Sequence, residues 1–138
     1  MSIATDVPFD AIQNAIYTAL QGTITGEVYD EVADDAEFPY TVIGEPMDLP
    51  FEARGVKGRS VIWPIIVHSR PGDTGGKWQL YDIMEEIVTT LTASQLSLTG
   101  WREIWKTFNQ ARVERQKKET GNVAYKGTVT MLITVAKL

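Results

Sequence analysis

Cysteine is absent from the 138 residues, which removes disulfides, thiolate metal sites and a cysteine nucleophile from consideration. Histidine occurs once, at His68 inside an apolar run. A lone imidazole without cysteines does not make the usual zinc constellation, and no acid–base partner for it is visible, so a structural role is expected. No stretch approaches the roughly 18 apolar residues of a membrane span, and the first residues lack the basic-then-apolar pattern of a signal peptide. These absences predict a soluble protein, synthesised in a cytoplasm, with neither cofactor nor membrane among its partners. Basic residues are missing from the first part of the chain. Residues 1–53 hold eleven Asp and Glu and no Lys or Arg, whereas residues 54–138 hold seven acids and thirteen bases, or −11 against +6. Two uses fit this asymmetry. Oppositely charged faces can pair head to tail between copies, or the acids can coat one surface for solubility.

What is present argues for a folded protein. Apolar residues make up 43% of the chain and four tryptophans are among them, at a length suited to a single domain over residues 1–138. Phe9, Ile12, Ile16 and Leu20 form an apolar stripe that predicts a helix over residues 6–21, with Asp6 as N-cap and Gly22 as stop. Val28-Tyr29-Asp30 predicts a strand from about Glu27 to Val32, and Tyr40 to Pro46 a second. Asp34 and Asp35 between them are turn formers. Residues 47–58, broken by Pro50, Gly55 and Gly58, show no sustained period and are expected to be a mobile loop. The β-branched run Val61-Ile62 to Ile65-Ile66-Val67 predicts a central or covered strand over 59–69, in which Pro64 marks a bulge or an edge.

Arg70-Pro71-Gly72-Asp73 turns the chain into a helix over about 76–92, capped by Asp73 or Thr74, with Leu80, Met84, Ile87, Val88 and Leu91 facing inward. A short strand at Leu96–Leu98 is expected next. An extended, bulged segment runs from Trp101 to Val113, where Trp101 and Trp105 share a parity that Phe108 breaks. Glu114–Gly121 reads as a polar hairpin loop. From Val123 the alternation is clean, with Tyr125, Val129, Met131, Ile133 and Val135 on one face and Lys126, Thr128, Thr130 and Thr134 on the other. The fold class is therefore α+β: an antiparallel or mixed β-sheet with two helices packed on one face.

Catalytic chemistry is hard to find. Asp30, Glu31, Asp34 and Asp35 lack the alternation, central glycine and terminal glutamate of a calcium loop. Gly72 to Lys77 has the outline of a phosphate-binding loop, but Pro71 replaces its first glycine and Trp78 its Ser/Thr. Glu85 and Glu86 are adjacent on a helix and diverge, and no serine sits in a nucleophile elbow. Arg112, Arg115, Lys117 and Lys118 near Trp101 and Trp105 suggest nucleic-acid contact, against which a pI of about 4.8 argues. No enzyme is expected.

Val28-Tyr29-Asp30, Phe38-Pro39-Tyr40, Val42-Ile43-Gly44, the helix after Arg70 and the final strand together resemble the tail-completion, or tail-to-head joining, proteins of long-tailed bacteriophages and prophages. The resemblance implies a structural virion protein at the head–tail interface. It would form a ring, commonly of six copies, that caps the tail tube and meets the head-completion or connector protein while DNA passes through unbound. It also implies that the 47–58 loop reaches toward neighbours or the tube lumen. Combined with the charge asymmetry, it nominates Arg54, Lys57 and Arg59 of one subunit against Asp30, Glu31, Asp34 and Asp35 of the next. A tail terminator that controls tail length, and a small cytoplasmic ligand-binding α+β domain, remain as alternatives.

Overall fold

Phe9, Ile12, Ile16 and Leu20 recur at helical spacing, and the last three are buried along one side of α1 (Phe9–Leu20). The computed structural model describes residues 7–31, 36–53, 56–71, 77–117 and 123–138. Asp6, Asp73 and Thr74, the expected caps, lie outside them. Pro8 and Lys77 occupy the two N-cap positions, without a side-chain cap bond. Gly22, at φ +81°, ends the first helix as expected, because the left-handed region costs glycine nothing. In α2 (Trp78–Ala93), Leu80, Ile83, Met84, Ile87 and Leu91 are buried. No helix among the described residues is long and apolar enough to cross a membrane.

The strands are β1 (Glu27–Tyr29), β2 (Tyr40–Ile43), β3 (Met47–Ala53), β4 (Val56–Ser69), β5 (Trp101–Lys117) and β6 (Val123–Lys137). They form one mixed sheet in the order β1-β2-β4-β6-β5, with β3 paired to the same edge of β4 as β2. Only β1 and β2 run parallel. Three expectations need correction. Residues 47–53 and 56–58 are not a loop: they are β3 and the start of β4, whose ladder supplies the backbone partners that Pro50 and Gly58 gave no hint of, while residues 54 and 55 lie outside the described residues. Leu96–Leu98 is not a strand. Residues 114–117 continue β5 rather than opening the hairpin loop.

Between Ile43, opposite Ile65, and Met47, opposite Ile62, three residues of one side face two of β4. This bulge explains Pro64. In an antiparallel pair a residue's N–H and C=O point to the same neighbour, and the Pro64 carbonyl accepts from Gly44 N at 2.9 Å. Its missing donor therefore falls on the break and leaves the β6 ladder intact. The Trp63 indole N–H closes the same junction by donating to the Gly44 carbonyl at 3.0 Å.

The register of β4 with β6 puts Val61, Trp63, Ile65 and Val67 on one face with Val129, Met131, Ile133 and Val135. All eight are fully buried against the two helices. Two bulges, at Ile104 and Asn109, shift β5 against β6. The first turns Trp105 onto the opposite face from Trp101, and Phe108 returns to the face of Trp101. A bulge was expected, but the face assignment of Trp105 and Phe108 is reversed, because the bulge at Ile104 precedes both residues and inverts their parity, while that at Asn109 lies beyond them.

Gly26 has φ +90°, and a Cβ there would run into the Pro39 carbonyl oxygen. Gly26→Ala is expected to lower unfolding free energy by about 3 kcal/mol, measured by chemical denaturation. Thr41 is fully buried and its Oγ1 has no hydrogen-bond partner among the described residues. Thr41→Val should raise stability by about 1 kcal/mol in the same assay, since it removes an unsatisfied polar atom at constant shape.

Candidate assembly interface

With both helices on one face, the other face of the sheet carries no covering element among the described residues. Val42, Ile62, Pro64, Ile66 and Leu132 line its centre and are half-buried by their neighbours alone. Met47, Leu49 and Trp105 stand on the same face and are 61%, 43% and 53% exposed. Trp105 is held there by an indole N–H donated to Thr134 Oγ1. Covering one large apolar side chain is worth about 1.5–3 kcal/mol, whereas an exposed ion pair is worth about 0–1. The apolar centre therefore outweighs any charged rim as a source of affinity.

The edge is also open. β5 forms one margin of the sheet, and from Thr107 to Val113 its residues are exposed. A long unpaired edge is an assembly template unless charge or twist blunts it. Here the two bulges and the exposed Arg112–Glu114 pair, at 2.8 Å, do both. Where β5 begins, Lys106 and Glu103 make a buried ion pair at 2.7 Å. Lys106 Nζ also donates to the Ser94 carbonyl, and Glu103 accepts from Leu96 N–H, which straps the link after α2 to the sheet. No sequence pattern pointed to this strap, because the bulge at Ile104 is what brings the two side chains to one face.

The nominated interface residues are scattered. Asp30 and Glu31 are exposed just beyond β1, and Lys57 is exposed near the β3–β4 turn. Asp34, Asp35 and Arg54 lie outside the described residues. Arg59 is engaged within its own chain: its guanidinium donates to Asp48, with Nε 3.0 Å from both carboxylate oxygens. Asp48 faces Val61, two residues from Arg59, so the pair is a diagonal cross-strand contact on one face.

A cleft of about 770 Å³ runs along α1 beside residues 94–101, lined mainly by alanines, serines and threonines, with Asp10 and Lys137 at its margins. Such a lining offers no convergent set of acid, base and nucleophile. Among the described residues no group of three or more His, Asp or Glu is placed to hold a metal ion.

The model of the family described as tail completion protein gp17 matches residues 11–136. The chain belongs to that family. It is accordingly a structural tail-completion protein, a component of a bacteriophage-type virion. Among solved structures it is similar to a chain from the virion of a native gene transfer agent particle. The TM-score is 0.79 at 16% identity, over 96% of this chain and 99% of that one. No curated protein matches it.

The motif residues that carry the resemblance to tail-completion proteins build one aromatic corner. The Tyr40 ring stacks on His68 at 4.8 Å and lies 5.3 Å from Phe38 and 6.0 Å from Tyr29, while Arg70 caps Phe38 at 4.3 Å. Burial, with Lys126 opposite on β6, pushes the His68 pKa below its usual 6.5. The folded state thus binds fewer protons than the unfolded chain, so His68 costs nothing above pH 6.5 and destabilises as pH falls through its folded pKa. Melting temperature of the wild type should drop over that window relative to its value at pH 7.5. His68→Gln should flatten this part of the profile, and an unchanged slope would show that other groups carry it.

Proposed function

We propose that this protein forms a ring that closes the finished tail tube and joins it to the head connector. The observation that carries the reading is the uncovered apolar face of the sheet beside a long open strand edge. A protein that works alone would hide both. Family membership and the likeness to a chain of a gene transfer agent virion support it. The chain acts as one tail-completion domain in this reading. Its mechanism is recognition: apolar surface supplies affinity, while charges set orientation and encounter rate. Asp30, Glu31 and Lys57 are the described members of the expected charged contacts between neighbours, with Asp34, Asp35 and Arg54 as their companions in sequence. Arg59 contributes by fixing β3 to β4 through Asp48.

DNA passes through the ring without specific binding, which an acidic protein of pI about 4.8 favours. The other partners are the tail tube protein on one side and the head-completion or connector protein on the other.

Deleting the gene from its phage or prophage tests the reading by electron microscopy of the lysate. DNA-filled heads beside separate, normal-length tails are expected. Tails of uncontrolled length would move the protein to a terminator role. Intact infectious particles would remove the assembly role and leave ligand binding at the α1 cleft as the function to examine.

A further inference from the structure

We propose that the open face of the sheet is the seat for the helix layer of a second copy, so that α1 and α2 of each subunit pack on the sheet of its neighbour. The proposal rests on the ring reading and specifies its contact. The two helices differ in charge from the open face, although the helix side of the sheet itself carries Arg59, Lys106, Arg115 and Lys137. Neither α1 nor α2 contains Lys or Arg, and Asp10, Asp82 and Glu85 are exposed on them. The α2 acids stand in the part of the sequence that holds every base, and folding sets them beside α1. On the open face, β5 and β6 carry Arg102, Arg112 and Lys126 against a single acid, Glu114.

The apolar surfaces match as well. Tyr17 and Tyr81 are exposed on the helices, and the sheet offers Leu49, Trp105 and the half-buried isoleucines of β4. A helix layer on each side of a sheet is a standard stable architecture, and each copy supplies half of it. A second open face meeting the first would bring the same cations and one acid, Glu114, which already pairs with Arg112. The contact is heterologous, pairing two different surfaces, and such contacts generate rings when the rotation closes.

The absence of cysteine makes the test clean. Tyr17→Cys and Tyr81→Cys mark the helix layer, and Leu49→Cys, Thr107→Cys and Thr128→Cys mark the open face; four of the five are exposed and Thr128 is half-buried. Full-length variants are mixed pairwise at millimolar concentration, treated with a bismaleimide crosslinker, and followed by sedimentation. Crosslinked dimers are expected when a helix variant meets a sheet variant and not within either set alone. They should be lost when Asp82 and Glu85 are both changed to Lys. Crosslinks within the open-face set alone would overturn the proposal in favour of a two-fold sheet contact. Oligomers without crosslinks would overturn this contact and leave the ring standing. A protein that stays monomeric at that concentration would overturn the proposal, while the deletion phenotype reads the junction role independently.

Discussion

The register of β4 against β6 decides which side chains meet the helices and which are left for something else. Val61, Trp63, Ile65 and Val67 alternate with Ile62, Pro64, Ile66 and His68, and β6 presents Val129 to Val135 in step with the first set. A slip of one residue would exchange the two faces. The helices cover the first set, where Leu80, Ile83, Met84 and Ile87 bury against it. The second set is nevertheless rich in isoleucine. A sheet with apolar residues on both faces and helices on one keeps an apolar face uncovered among the described residues.

Irregularities in the strands serve this division. The bulge between β2 and β3 absorbs Pro64 without breaking the β4–β6 ladder, so β4 can remain the spine of the sheet along its whole length. The bulge at Ile104 delivers Trp105 to the open face and Lys106 to the helix side. Bulges that re-aim a side chain and twist an edge are recurring devices at functional rims. The two bulges in β5 also discourage unspecific pairing along that edge.

Much of the architecture was legible in the residues. Both helices declared themselves through stripes at helical spacing, and Gly22 through its position after Leu20. The final strand did so through strict alternation from Tyr125 to Val135. The family was legible in Val28-Tyr29-Asp30 and Phe38-Pro39-Tyr40, which meet in space around Tyr40 and His68. The β3–β4 hairpin was not legible. Its strand carries Pro50 and alternates Asp48 and Glu52 with apolar residues weakly, and such a segment becomes a strand only when β4 offers it a ladder. Arg59 also has a partner within its own chain that charge counting does not reveal, since Asp48 reaches it diagonally once β3 pairs with β4.

Local periodicity, and motifs that need no distant partner, already carry the fold class, the two helices, the spine strands and the family. Tertiary structure alone decided where charge and apolar surface lie. Counting along the chain divided it into an acidic first part and a basic remainder, yet α2 in the basic part is acid-only and packs beside α1. The helix layer is acid-only although the bases of the chain surround α2 in sequence. Which residues share a face depends on strand order, register and bulges, and those are set by packing between segments far apart in sequence.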